Sequence, residues 1–443
     1  MTAISLRDLV GARLGIAVRA AICVAFCVSF GATFGVPVGV ADGAALGVTT
    51  GVVVGVVVGA PSRRRQSESP RRLMGGFPRG AKAIRTCPIA AVPHWNSSKQ
   101  PRMNIAMKFL CHQAMAAIGK KTFRFPFGAY FYLTFRCNMR CSYCDGGSGE
   151  SFPEMVSSEI TPGEWRRVMA AVRPHTDVLL LSGGEPLVYD GFREVVADAR
   201  KMGFSFISLN TNGLLLEPAI TESLDAIIVS LDSLDRKKSD LLWNRSGATD
   251  RVLRTLEMLS GRAQPSVMVN SVILPENIPD VEEVLNFCIK HGFTFSAGPA
   301  LDRTRPVPGL SGNPDFQKLI RKIIAAKRAG HRIAATVDYL KSVSRFRSFD
   351  CHPLLVWRVY PDGSLVYPCS RQNRTIGSLV SGENPETLFR TAAGGEFFIN
   401  DCREACPLSC YMDTSFMIQR PLGLLREGFF RLRSFSSGHR LLY

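Results

Sequence analysis

Six short apolar runs, separated for the most part by helical patterns, constrain this chain more than any other feature. The runs at residues 129–135, 178–182, 205–210, 226–231, 267–273 and 293–297 have the length and composition of buried strands. The first helical pattern between them opens with Thr161, Pro162, Gly163 and Glu164, a capping box with proline at the first helical position. Others cover 192–202, 249–259, 278–291 and 315–328. An amphipathic stretch with Met107, Leu110, Cys111, Met115 and Ile118 on one face precedes them all. Strand–helix repetition of this kind calls for parallel pairing through right-handed crossovers, so the expected fold is α/β, a partial (β/α)6 TIM-like barrel. Its chemistry is expected in the loops at the C-terminal strand ends.

The rest of the 443 residues fit around that core. Hydrophobic residues make up 46%, which excludes global disorder and collagen. The net charge of +17 is uneven: the first 102 residues carry 13 Lys/Arg against 3 Asp/Glu, and the body is close to balanced, so no nucleic-acid partner is expected. Glycine recurs at 31, 35, 39, 43, 47, 51, 55 and 59, in the small-xxx-small spacing that lets membrane helices approach closely. Residues 1–102 therefore read either as a membrane hairpin with a basic linker or as a spurious extension ahead of a self-sufficient body starting at Met103. The tail, 415–443, holds Leu422, Leu425, Phe429 and Leu432 on one helical face with Arg426, Arg431 and Arg433 elsewhere; it suits capping the barrel or lying on an anionic membrane.

The unusual residues fall at the strand ends. After the first strand come Cys137, Cys141 and Cys144, and three thiolates in C-x3-C-x2-C spacing can grip three corners of a 4Fe-4S cube, leaving the fourth iron open. A zinc knuckle is the alternative; it needs a fourth protein ligand, and Asp145 is the nearest. After the second strand, Gly183 and Gly184 permit close backbone approach beside the Glu185 carboxylate. The third strand leads into Thr211, Asn212 and Gly213; the fourth ends in Ser230-Leu231-Asp232, with two polar side chains on one face. Thirteen cysteines with this clustering suit metal in a reducing compartment better than a secreted disulfide framework.

The cysteine triplet with Tyr143 inside it, followed by Gly183-Gly184-Glu185-Pro186, resembles the radical SAM superfamily over roughly residues 125 to 300. The resemblance implies that S-adenosylmethionine chelates the open iron and that one electron cleaves it to a 5′-deoxyadenosyl radical. It further implies that Gly183, Gly184 and Glu185 meet the methionine amino group and that Ser230 and Asp232 lie along the methionine and ribose. Tyr143 and Gly298 would flank adenine, with Thr211, Asn212 and Asn270 lining the site.

Further on, Cys351, the turn Tyr360-Pro361-Asp362-Gly363, Cys369 and the group Cys402, Cys406 and Cys410 resemble the SPASM or shorter Twitch extension of radical SAM enzymes. A small C-terminal auxiliary-cluster domain at 336–414 is therefore expected after the core at 103–335, with one auxiliary 4Fe-4S cluster held by four of these five thiols, although four thiolates also suit structural zinc. Cys23, Cys27, Cys87, Cys111 and Cys288 read as small hydrophobes. The expected activity is hydrogen abstraction from a peptide or small-molecule substrate in the cytoplasm, with electrons from a ferredoxin or flavodoxin. A non-enzymatic iron-sulfur or zinc protein is the alternative, and it leaves the glycine-rich and polar strand-end motifs without a role.

Overall fold

A computed structural model describes residues 105–117, 125–144, 159–302, 305–372, 374–394, 406–423 and 426–428. The glycine repeat and its linker, Asp145, Cys402, and tail residues 424–425 and 429–443 lie outside the described residues.

The alternation produces the sheet it calls for. Strands β1 (Gly128–Tyr132), β2 (Val178–Ser182), β3 (Phe206–Thr211), β4 (Ala226–Ser230), β5 (Ser266–Ile273) and β6 (Thr294–Pro299) pair in parallel, each with the next in the chain. Helix α1 (Ile105–Ala117) precedes them, and α2 (Pro162–Val172), α3 (Phe192–Lys201), α4 (Arg236–Leu242), α5 (Ala248–Leu259) and α6 (Ile278–His291) fall in the connections. The capping box of α2 forms in both directions: Glu164 N donates to Thr161 Oγ1 at 3.3 Å, and Thr161 N donates to Glu164 Oε2 at 2.8 Å. A cap of this kind contributes about 1 kcal/mol.

Period-two alternation divides each strand between two environments. Phe131, Leu179, Leu181, Ile207, Leu209, Ile227, Val229 and Phe295 pack with Trp165, Val195, Leu256 and Val284 of the helices into the main core. On the opposite face, Tyr130, Leu180, Phe206, Ile228 and Met268 belong to smaller clusters lining the barrel interior. Toward the C-terminal strand ends that interior turns polar: Ser230 pairs with Asn270, and Asn270 with Ser296, in one rung across β4, β5 and β6.

Beyond β1 the sheet continues with β9 (Val356–Val359), β10 (Ser364–Val366) and β11 (Thr375–Ser378), giving the order β11-β10-β9-β1-β2-β3-β4-β5-β6; β7 (Leu301–Asp302) and β8 (Arg305–Pro306) form a separate ribbon. The segment at 336–414 thus adds three strands to the barrel's own sheet. Because β9 runs parallel to β1, the turn at Tyr360–Gly363 reaches the same rim as the cysteine loop, and Ile160 N donates to Pro361 O there at 2.9 Å. Cys351 precedes β9, toward the other end, and Cys369 follows the antiparallel return of β10.

The chain closes with α7 (Pro314–Arg328), α8 (Val337–Val343) and α9 (Ser409–Gln419). Lys327 of α7 and Glu427 of the tail form a buried ion pair at 2.9 Å, each side chain 6% exposed. Lys327 Nζ also donates to Ile333 O and Ala335 O, and Glu427 Oε1 accepts from Val337 N at the start of α8. These bonds anchor the tail to the body through a residue outside the apolar stripe. Among the described residues no helix is long and apolar enough to cross a membrane. Replacing Glu427 by Ala would take from the buried ammonium the carboxylate it touches, leaving it the field of the buried Asp413, and is expected to cost about 3 kcal/mol in denaturant unfolding. Combining it with Lys327→Met should recover most of that loss; an unchanged unfolding midpoint in Glu427→Ala would contradict the anchoring.

Candidate active site

The loop carrying Cys137, Cys141 and Cys144 leaves the end of β1, and the glycine pair braces its base. The β1–β2 ladder continues past both strands: Leu133 N donates to Ser182 O at 3.0 Å, Gly184 N to Thr134 O at 2.8 Å and Glu185 N to Arg136 O at 2.9 Å. Gly183 has φ +141°, and a Cβ there would stand 2.2 Å from Thr134 O; one on Gly184 would stand 2.3 Å from Arg136 O. The close approach these glycines permit is therefore made by the backbone of residues 134–136. On the outer side Arg136 grips Glu159 bidentately at 2.8 and 2.9 Å, and Thr134 donates to the same carboxylate. Burial opposes ionisation of Glu159, but the Arg136 and Thr134 hydrogen bonds outweigh it and hold its carboxyl below the usual value.

Further along, the loop is tied to β4 and α4. Met139 is buried; Arg140 N and Ser142 N donate to Trp243 O and Leu242 O at 3.1 and 2.9 Å. The Tyr143 hydroxyl donates to Asp232 Oδ2, which also accepts from Trp243 Nε1 at 2.7 Å; Asp232 Oδ1 accepts from Val272 N at 2.7 Å. Asp232 is fully buried. Burial raises its pKa against the pull of these three donors, and burial beside Asp232 raises that of Tyr143 well above its ordinary value. Glu185 is equally enclosed: it accepts from Thr211 Oγ1 at 2.9 Å, Leu187 N at 3.1 Å and Asn212 N at 2.7 Å, tying the loop after β2 to the end of β3. Its burial dominates these bonds and pushes the carboxyl up to about 7. Both carboxylates thus hold the loops in place, with protein donors on both oxygens of each.

Three half-exposed thiols remain at the surface of this frame. None of Cys137, Cys141 and Cys144 is in a disulfide, and burial followed by the proximity of Cys144, Asp232 and Cys137 pushes the Cys141 thiol up to about 12. Burial likewise raises Cys137, which receives Met139 N at 3.4 Å and Asn212 Nδ2 at 3.8 Å. Three thiols close enough to oppose one another's ionisation form a set that polynuclear iron stabilises, with the protons displaced on binding. Among the described residues no three His, Cys, Asp or Glu side chains converge on a single ion; a cube does not need that, since each thiolate takes its own iron. The residues present fit the cluster.

Asn212 donates to Asn138 Oδ1 at 2.7 Å, so it faces the cysteine loop. Ser230 lies on the interior rung with Asn270 and Ser296, and the nearby buried Asn210 Oδ1 has no hydrogen-bond partner among the described residues. Gly298 of β6 has room for a Cβ at ordinary contact distance from Tyr339 Oη, 3.6 Å.

In the C-terminal region, Cys410 sits in the first turn of α9, with Cys406 just before it and Cys369 at the short turn after β10. Tyr339 lies in the electrostatic field of both Cys406 and Cys410, and Tyr411 in that of Cys369 and Cys410. Cys351 joins through its neighbours: His352 N donates to Ser415 Oγ at 2.9 Å and Gln419 Nε2 to Asp350 O at 2.5 Å, both on α9. None of these four cysteines is in a disulfide; the fifth candidate, Cys402, lies outside the described residues.

Trp243, Glu159 and Arg358 escaped the sequence reading. The signal for Trp243 was Asp235, whose side chain accepts from Lys237 N and Lys238 N and so caps the unassigned helix α4 that delivers the tryptophan. Glu159 and Arg358 carry no local signal, since each is defined by a partner distant in sequence.

The chain is similar to known proteins in sequence and in fold. Residues 131–288 match the radical SAM superfamily model. The Bacillus subtilis sporulation killing factor maturation protein SkfB is 29% identical over 283 residues, 61% of this chain and 67% of that protein. The GTP 3′,8-cyclase of Mycobacterium marinum is 36% identical over 170 residues, 36% of this chain and 46% of the cyclase, so the chain spans about half the length of that relative. Among solved structures, Streptococcus suis SuiB bound to S-adenosylmethionine superposes with a TM-score of 0.48 at 15% identity, covering 60% of this chain and 66% of that one.

Two outcomes follow. Tyr143→Phe removes one of three donors from the buried Asp232 and should cost about 1–3 kcal/mol, read in denaturant unfolding of the iron-free protein; an unaltered midpoint would show that the bond does not hold the loop. For Glu185, the folded pKa of about 7 lies above the ordinary 4.5, so the native state binds the extra proton in that window. Stability should fall as pH rises from about 4.5 to about 7, and Glu185→Gln should remove that part of the slope. An equal slope in the variant would contradict the burial argument.

Proposed function

We propose that this protein, whose residues 131–288 are a radical SAM domain, starts radical chemistry on a peptide substrate. The domain's cofactors are a 4Fe-4S cluster and S-adenosylmethionine; bound together and given one electron, they supply a 5′-deoxyadenosyl radical that abstracts hydrogen. Cys137, Cys141 and Cys144 would hold three irons and leave the fourth for the amino and carboxylate groups of S-adenosylmethionine. The observation that carries this reading is the mounting of three thiols, none in a disulfide, on a braced loop at the rim where strands β1–β6 end.

The chain's own residues then orient and enclose. Asp232 and Trp243 fix the ring of Tyr143 inside the cysteine triplet, and Glu185 fixes Asn212 beside Cys137. Gly183 and Gly184 keep the rim narrow by letting the loop after β2 run against the base of the cysteine loop. Ser230, Asn270 and Ser296 offer a polar ledge for the ribose and methionine side of the cofactor, with Tyr143 and Gly298 beside adenine. A second, auxiliary 4Fe-4S cluster is assigned to Cys351, Cys369, Cys406 and Cys410, with Cys402 the other candidate. A peptide is favoured because SkfB, alike over 67% of its own length, is by name a maturation protein for a killing factor, whereas likeness to the cyclase stops at 46%. The electron donor is a ferredoxin or flavodoxin, and the setting is the reducing cytoplasm.

The test is anaerobic reconstitution with iron and sulfide, then dithionite and S-adenosylmethionine. The wild-type protein should form 5′-deoxyadenosine, and Cys141→Ala should form none. Absence of the nucleoside from a fully iron-loaded wild-type protein would contradict the reading, as would its persistence in the variant.

A further inference from the structure

Arg358, on the interior face of β9 opposite Tyr130, is a buried cation with no carboxylate partner among the described residues. It is 3% exposed, and a guanidinium does not give up its proton in proteins. Nη1 donates to the Tyr411 hydroxyl, Nη2 donates to Cys410 Sγ at 2.9 Å, and Nε is buried with no hydrogen-bond partner among the described residues. The guanidinium carbon lies 4.2 Å from the Tyr411 ring centroid and 5.2 Å from that of Tyr130. Phenol rings attract a cation but do not neutralise it. An uncompensated charge at this depth is strongly unfavourable, so the position needs a negative partner, and among the described residues the sulfur it touches is that of Cys410.

We propose that Arg358 is the fixed counter-charge of the auxiliary cluster: it donates to the Cys410 sulfur, holds that ligand in place and makes the cluster easier to reduce. This rests on the assignment of Cys410 as a cluster ligand. A cluster of thiolates carries net negative charge, and its reduction potential rises with hydrogen bonds to sulfur and with nearby positive charge. The process involved is the uptake of one electron from an external reductant; no bond forms or breaks, and the guanidinium keeps its proton. Arg358 is thus a positioning residue, and it suits the task because its planar fork can hold the Tyr411 oxygen and the Cys410 sulfur together.

The test uses the full-length Cys141→Ala protein, so that only the auxiliary cluster contributes, in redox titrations followed by electron paramagnetic resonance. Adding Arg358→Gln should lower the reduced-to-oxidised ratio at a fixed potential at least tenfold, a midpoint shift of about 59 mV for one electron. Arg358→Lys, which keeps the charge, should move it less. An unchanged midpoint in Arg358→Gln with the auxiliary iron retained overturns the proposal. Should Arg358→Gln not fold, arginine labelled with 15N in the Cys141→Ala protein should show a nitrogen coupling to the reduced cluster that Arg358→Lys lacks; no such coupling also overturns it. Cys410→Ala separates the two readings: loss of auxiliary iron supports the ligand assignment, whereas full iron with an unaltered spectrum removes that assignment and the Arg358 proposal with it.

Discussion

The buried carboxylate of Asp232 is the contact on which the candidate site depends. It accepts from Tyr143 on the cysteine loop, from Trp243 at the end of α4 and from the Val272 amide of β5. One side chain at the end of β4 therefore joins a loop, a helix and a neighbouring strand. Without it the cysteine loop would keep its base, gripped by the Gly183-Gly184 segment and the Arg136–Glu159 pair, and its amide bonds to Leu242 and Trp243, but would lose the side-chain tie from Tyr143 to the end of β4. A loop that must present three thiols to three corners of one cube cannot be left to sample conformations, since each disordered residue would charge its ordering entropy against cluster binding.

The same logic governs Glu185. A full complement of hydrogen bonds to a buried carboxylate freezes the relative positions of everything that donates to it. Here the donors are Thr211, Leu187 and Asn212, so the loop after β2 and the end of β3 move as one unit. The two carboxylates that the family resemblance would set against the cofactor both accept from protein donors, which fixes where they stand. Beside them lies a half-exposed layer of the thiols and Asn212, with the rung of Ser230, Asn270 and Ser296.

Much of this was legible in the sequence, and the reason is local. Strand β2 and helix α6 begin and end at the expected residues, because a continuous apolar run and an uninterrupted amphipathic pattern each carry their signal in neighbouring positions. The α2 capping box was visible for the same reason. The parallel pairing of β9 with β1 was not, because a four-residue strand more than two hundred positions away carries no mark of its partner. Nor was the role of Asp232: its spacing from Ser230 suggested a shared face, but the intervening end of β4 turns it toward Tyr143 and Trp243. Arg358 and Glu427 were silent for a further reason, since charged residues read as solvated until the fold encloses them.

The central claim is that Cys137, Cys141 and Cys144 mount a cluster with one iron free to be ligated by S-adenosylmethionine. Electron paramagnetic resonance of the anaerobically reconstituted, dithionite-reduced protein measures this directly. The account predicts that adding S-adenosylmethionine, under conditions too cold for turnover, changes the g-values of one reduced cluster, and that the responsive signal is missing from Cys141→Ala. A reduced-cluster spectrum indifferent to S-adenosylmethionine would contradict it.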